Sequence, residues 1–222
     1  MILYVNGDSH SCGHDAGGPE FSYGRHVADA LGWEFVCDAE PAVGNDRIIR
    51  RTREYLQHTR PDFVIIGWST WEREEWIHEG LSYHVTASGA DDVPEELKTQ
   101  YKEWVIRQSS QERYTELEYA NYDKIWEFHL ELKSQNIKHL FFNTYSCFSH
   151  KRWYNVDSIQ TKNKWFEFSI DLYRQDMTYY FWLKNNGFNL VDPKWHHYDA
   201  DAHRGWANFI LPKVKSILTH TQ

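Results

Sequence analysis

Phe63-Val64-Ile65-Ile66 is an unbroken apolar run, mostly β-branched, that follows Pro61-Asp62 and stops at Gly67. A strand so uniformly apolar has to be covered on both faces, which is the pattern of a parallel sheet held between two helical layers. Met1 to Val5, ending at Asn6-Gly7, is a run of the same kind, and Ile137 to Phe142 reads as a further strand. Helical spacing separates them. Pro19 to Leu31 has apolar residues on one helical face and stops at Gly32, and Trp33 to Cys37 then reads as a short strand. Gly44-Asn45-Asp46 opens a helix with Ile48, Ile49 and Leu56 as its inner stripe, Asp46 as its expected cap, and Arg47, Arg50, Arg51 and Arg53 as its solvated face. Ile125 to Leu132, Ile170 to Leu183 (closing at Gly187), and a last helix from about Ala202 through Leu218 complete the pattern. Such alternation predicts a doubly wound three-layer α/β/α sandwich with a parallel central sheet.

A chain of 222 residues is one domain's worth, so a single domain over 1–222 is expected. Between Trp71 and about Tyr119 the composition turns charged and aromatic, with a hairpin signal at Leu81 to Ala87 and a helical stretch beyond Pro94; this reads as an insertion covering the cleft. The net charge of −8 argues against a nucleic-acid partner, because polyanion binding depends on neutralising phosphates. Neither a membrane span nor a signal peptide is expected, since no stretch is long and apolar enough, and the location is read as cytoplasmic. Cys12, Cys37 and Cys147 are odd in number and form no CxxC pair, which fits a reducing compartment. Aromatic residues make up 17% of the chain, including 11 Trp and 14 Tyr, so some of the rings are expected to line a binding surface of the kind that suits sugars.

In a doubly wound sheet, ligands bind beyond the carboxyl ends of the strands. Four polar segments fall there or just before the closing helix: the turn at Ser9, the loop at Ala42 to Asn45, the loop at Trp68 to Thr70, and the His-rich stretch from Asp192 to His203. Ester hydrolysis needs a hydroxyl nucleophile, an imidazole to take its proton, and donors around the developing oxyanion. All are present, with Ser9 as the candidate nucleophile. His10 and His14 flank it, and Cys12 reads as a small buried thiol. A different reading of the same C-terminal stretch takes His196, His197, Asp199, Asp201 and His203 as ligands of a divalent metal.

Gly7-Asp8-Ser9-His10, Gly44-Asn45-Asp46-Arg47-Ile48, Ile66-Gly67-Trp68-Ser69-Thr70 followed by Glu72-Arg73, and the His-rich loop together resemble the four sequence blocks of the SGNH (GDSL-like) hydrolase superfamily. The nearest likeness is to a branch common in phages and aquatic bacteria, which would put a phage-encoded protein in the host cytoplasm or the virion. The resemblance implies a flavodoxin-like fold, hydrolysis of small-molecule esters, acylated carbohydrates among them, and no cofactor. It makes Ser9 the nucleophile and Gly44 an oxyanion donor, although Ala42-Val43-Gly44 replaces the usual Gly-x-Ser and leaves Ala42 or Val43 as alternatives. Asn45 is the nearest side-chain amide, and Ser69 stands where the superfamily has Asn. His10, Trp68 and Thr70 are the expected substrate contacts. Aligning Ala202-His203 and Trp206-Ala207 with the fourth block makes His197 the base. No Asp lies three residues before any candidate His, so Asp192 is the expected orienting carboxylate, with a Ser-His dyad as the alternative. A serine esterase, a scaffold protein that has lost turnover, and a metal-dependent hydrolase are thus the readings to compare.

Overall fold

Alternation along the central strands divides the core between two faces of one sheet. The computed structural model describes residues 1–149, 167–192 and 196–219. In chain order the elements are β1 (Ile2–Gly7), α1 (Tyr23–Leu31), β2 (Glu34–Cys37), α2 (Asn45–Leu56), β3 (Phe63–Trp68), β4 (Glu74–His78), β5 (Leu81–Val85), α3 (Lys98–Gln108), α4 (Gln111–Ser134), β6 (His139–Asn143), α5 (Tyr179–Asn185), β7 (Leu190–Asp192), β8 (His197–Tyr198) and α6 (Ala200–Thr219). The main sheet has the order β2-β1-β3-β6 and every pairing in it is parallel. Leu3, Val5, Phe63, Ile65, Leu140 and Phe142 point to the side covered by α1, α5 and α6. Tyr4, Val64, Ile66, Trp68 and Phe141 point to the side covered by α2 and α4. Strand periodicity thus assigns each residue to one layer. Every residue of β3 is buried, as its unbroken apolar run requires.

The helix ends have local causes. Ser22 caps α1 by accepting from the Arg25 N–H, and Gly32 ends that helix at φ +68° with its N–H returned to Ala28 and Asp29. Ser110 caps α4 in the same way through the Arg113 N–H. That cap starts the helix well before Ile125, so one continuous helix links the 71–119 segment to the helical layer. The hairpin β4–β5 and α3 share a small core of Val85, Val93, Tyr101 and Trp104.

Three local expectations are corrected. Asp46 does not cap α2; Gly44 is the N-cap without a side-chain bond, and Asp46 pairs with Lys124 of α4. Arg47 is buried rather than solvated, paired with Glu40 and donating to the Asp38 carbonyl. Its neighbours are also engaged, Arg50 with Glu75 of the hairpin and Arg53 with Glu131 of α4, because two charged elements lie across this face. Finally, only Tyr179–Asn185 of the expected 170–183 helix is α-helical. Ser169 forms a parallel bridge to Phe141, and the Ile170 N–H donates to the Phe141 carbonyl at 2.9 Å. The open edge of β6 carries backbone groups that need partners, and that demand outweighs the helical spacing of the side chains.

Candidate active site

The turn after β1 is built around a glycine and a buried carboxylate. Gly7 and Gly67 sit opposite each other at the ends of β1 and β3. A Cβ on Gly7 would lie 2.7 Å from the Gly67 carbonyl oxygen and 2.2 Å from Ser11 Oγ, so no other residue fits there. The chain then curls, with Ser11 and Cys12 N–H groups donating to the Asp8 carbonyl and the His14 N–H donating to the Ser9 carbonyl at 3.1 Å. Asp8 turns inward and is 1% exposed. Its carboxylate accepts from the His10 N–H at 3.1 Å, from Thr144 Oγ1 at 3.0 Å and from Arg73 Nη1 at 3.4 Å. Asp8 is thereby fixed as a structural group, and Ser9 is left facing the cleft.

Ser9 Oγ lies 2.9 Å from His197 Nε2, and His197 Nδ1 lies 2.7 Å from Asp15 Oδ2. Three side chains thus form one hydrogen-bonded line from a hydroxyl through an imidazole to a carboxylate. Two come from the turn after β1, and β8 delivers the third from the far end of the chain. Asp15 adopts φ +23°, ψ −9°, a conformation that costs on the order of 1–3 kcal/mol and is held by the surrounding turn. A cavity of about 440 Å³ opens over Ser9 and His197, with His10, Thr70, Glu72, Arg73 and Tyr145 in its wall and Thr86 to Ser88 reaching in from beyond β5. This site lies beyond the carboxyl ends of β1 and β3, where strand order reverses.

No protein-family model and no curated protein matches the sequence. Solved structures do match. A protein described as lipolytic and of the G-D-S-L family, from Desulfitobacterium hafniense DCB-2, aligns with a TM-score of 0.51 at 15% identity over 96% of this chain and 98% of its own. The psychrotrophic esterase EstA from Pseudoalteromonas sp. aligns with a TM-score of 0.51 at 11% identity over 99% of both chains. The chain has the SGNH hydrolase fold. A family two carbohydrate esterase from Clostridium thermocellum aligns with a TM-score of 0.52 at 11% identity over 97% of this chain, which spans 63% of that longer one.

On this SGNH fold the expected site residues are distributed unevenly. His10 and Thr70 line the cavity. His10 is neutral near pH 7, because burial pushes its pKa down to about 4 against the attraction of Asp8. Trp68 is not in the cavity; it is fully buried on the α2/α4 face, edge-on to Phe141 at 5.0 Å. Tyr145 is the one Phe, Tyr or Trp among the described residues in the cavity wall, while Trp68, Trp71, Trp104 and Trp206 are core. The aromatic excess of this chain therefore goes mainly to packing.

Asn45 has no amide hydrogen left for the cleft: its Nδ2 donates to the Ser69 carbonyl at 3.2 Å and to Asn121 Oδ1 at 2.9 Å, while its Oδ1 accepts from the Ser69 N–H at 2.9 Å. It ties the second loop to the third. Ser69 is fully buried, and its Oγ accepts from Arg73 Nη1 at 3.0 Å. Gly44 packs on the Arg73 backbone so closely that a Cβ would lie 2.5 Å from the Arg73 carbonyl oxygen. Arg73 thus touches the turn after β1 through Asp8, the second loop through Gly44 and the third through Ser69.

Asp192 is the backbone partner of His197 across β7–β8, and the carboxylate on Nδ1 belongs to Asp15. Sequence reasoning missed Asp15 by searching only the few residues just before the histidine. The available signal was that Asp15 is the sole acidic residue in the glycine-rich stretch from Ser9 to Gly18. The metal set read from the C-terminal stretch is not gathered. Asp199 caps α6 through the Ala202 N–H, Asp201 pairs with Arg204 at the surface, and His203 is buried between the Tyr23 N–H and the Tyr179 hydroxyl. Pro193 to Trp195 lie outside the described residues. No described helix is long and apolar enough to cross a membrane, and Cys12, Cys37 and Cys147 are free thiols.

Proposed function

We propose that the protein is a serine ester hydrolase acting on small acylated molecules, acylated carbohydrates among them. The observation that carries this reading is the Ser9–His197–Asp15 line of hydrogen bonds inside an accessible cavity. His197 Nε2 takes the proton of Ser9 as Oγ attacks the ester carbonyl, and Asp15 accepts from Nδ1–H, which fixes the tautomer and stabilises the imidazolium. The imidazolium then protonates the leaving alcohol. Water, deprotonated by the same nitrogen, releases the acyl group from Ser9. The Ser9 and Gly44 N–H groups serve as oxyanion donors. Arg73 adds a positive charge to the same cavity, and its Nε and Nη2 have no partner among the described residues.

A fluorophosphonate probe tests the nucleophile without knowledge of the substrate. Wild type is expected to gain one covalent adduct, mapped to Ser9 by peptide mass spectrometry, and Ser9→Ala to gain none. An adduct elsewhere, or none on folded wild type, would remove the serine mechanism. If Arg73 stabilises the transition state, Arg73→Lys should lower kcat for p-nitrophenyl acetate by roughly a hundredfold, close to 3 kcal/mol, with a smaller change in KM. Lysine keeps the charge opposite Asp8 but not the guanidinium fork. An unchanged kcat would leave Arg73 a purely structural partner of Asp8.

A further inference from the structure

We propose that His14, Asp15 and His197 form a binding site for a zinc-class divalent ion, and that its occupation switches the hydrolase off. Their ligand atoms all lie within 4.8 Å of one another. The Asp15 carboxylate bridges the two imidazoles, with Oδ1 3.8 Å from His14 Nε2 and Oδ2 2.7 Å from His197 Nδ1. Two imidazoles and one carboxylate suit zinc and its transition-metal neighbours rather than magnesium or calcium, which favour all-oxygen shells. In a tetrahedral site with bonds of about 2.0–2.1 Å, ligand atoms stand about 3.4 Å apart. The Asp15–His197 contact would have to open by roughly 0.7 Å and the His14–Asp15 contact close by about half that, movements within the reach of side-chain torsions.

His14 has no part in the proposed hydrolysis. It is outside the wall of the substrate cavity, its side chain is 50% exposed, and it stacks edge-on to His197 with ring centroids 5.2 Å apart. His14 and Asp15 instead border a second depression, with Cys12 and Gly17 to Pro19, so an ion can arrive without crossing the substrate's path. The turn holds them in place, since the His14 N–H donates to the Ser9 carbonyl and the Gly18 N–H to the Gly13 carbonyl.

The consequence for turnover rests on the Ser9–His197–Asp15 reading and follows from the two ring nitrogens. An ion on Nδ1 takes that nitrogen's lone pair, so the single proton of the neutral imidazole moves to Nε2 and the hydrogen bond to Asp15 is replaced by metal bonds. Nε2 is then a donor toward Ser9 and has no lone pair to accept the hydroxyl proton. The base is lost while the substrate cavity stays open, so zinc should lower kcat and leave KM nearly unchanged.

Zinc chloride titrated into chelator-treated wild type is expected to bind at one ion per chain by calorimetry and to suppress p-nitrophenyl acetate hydrolysis over the same concentrations, with EDTA restoring it. His14→Ala should keep its metal-free activity and bind zinc at least tenfold more weakly, with the inhibitory concentration rising in step. Excess magnesium should not compete. Equal zinc affinity in His14→Ala and wild type, or no binding by wild type at millimolar zinc, would overturn the site; binding through His14 with undiminished turnover would overturn the switch. The calorimetry on Ser9→Ala needs no catalysis, so a protein that hydrolyses no ester but binds zinc through His14 would lose the hydrolase reading and keep the site.

Discussion

Asp15→Asn should lower kcat by roughly a thousandfold to ten-thousandfold, about 4–5.5 kcal/mol, while Asp192→Asn changes it by less than about tenfold. The carboxylate 2.7 Å from His197 Nδ1 is the group that keeps the ring's proton on that nitrogen and leaves Nε2 free to accept from Ser9. An amide in its place can present its NH2 to Nδ1, which selects the opposite tautomer and removes the base. Asn tolerates positive φ about as well as Asp, so the turn at φ +23° should survive and the melting temperature should fall by no more than a few degrees. Steady-state kinetics on p-nitrophenyl acetate, with thermal melts of both variants, separates the chemical effect from an unfolded one. The assignment is lost if Asp192→Asn is the crippling change and Asp15→Asn turns over normally.

Stability should fall as the pH is lowered from about 6.5 toward 5, before most carboxylates titrate. His203 is 2% exposed, and burial, followed by the charges of His10, His26 and His197, pushes its pKa down to about 3. In the unfolded chain the same imidazole takes a proton near 6.5. Between those values the unfolded state holds more protons, so the contribution of His203 is fully present above pH 6.5 and drains away as the pH falls through this window. At pH 5 the loss from His203 alone is about 2 kcal/mol. His129 and His139, buried side by side with Nδ1 and Nε2 at 2.8 Å, are also held neutral by burial and add in the same direction. Urea unfolding at pH 7 and pH 5 measures this. His203→Gln should be less stable than wild type at pH 7 yet lose less between the two pH values. Equal or greater wild-type stability at pH 5 would refute the buried-imidazole account.

How far the fold could be read from sequence depended on whether one interaction dominated locally. Residues 63–66 and 3–5 are apolar on both strand faces, and no partner could change that, so the central strands and the two helical layers follow from the runs themselves. The left-handed Gly32 that ends α1 was legible for the same reason, whereas the Ser22 and Ser110 caps start α1 and α4 away from Pro19 and Ile125, where the apolar spacing begins. Arg47 shows the limit. Its spacing on α2 matches a solvated face, but Glu40 and the Asp38 carbonyl, brought by another segment, turn it into a buried ion pair.

The site divides along the same line. A small polar turn after a buried strand is a local feature that points to Ser9, and the likeness of Ala202-His203 and Trp206-Ala207 to the fourth sequence block of the superfamily points to His197. The structure has His197 on Ser9, while His196, at φ +60°, lies in the wall of the same cavity and packs against Tyr145 and Tyr180. Asp15 stands out in its glycine-rich stretch, but that it completes the line was decided by the tertiary structure, because Asp15 and His197 meet only when the last strand folds back on the first turn. Trp68 was misplaced by proximity to the site, since one step along a strand reverses the face to which a side chain belongs. The sequence alone determined which segments had to be buried, because burial is a property of each residue. Which polar groups meet in the cleft was decided by the tertiary structure, because a hydrogen bond needs two partners whose distance no single segment controls.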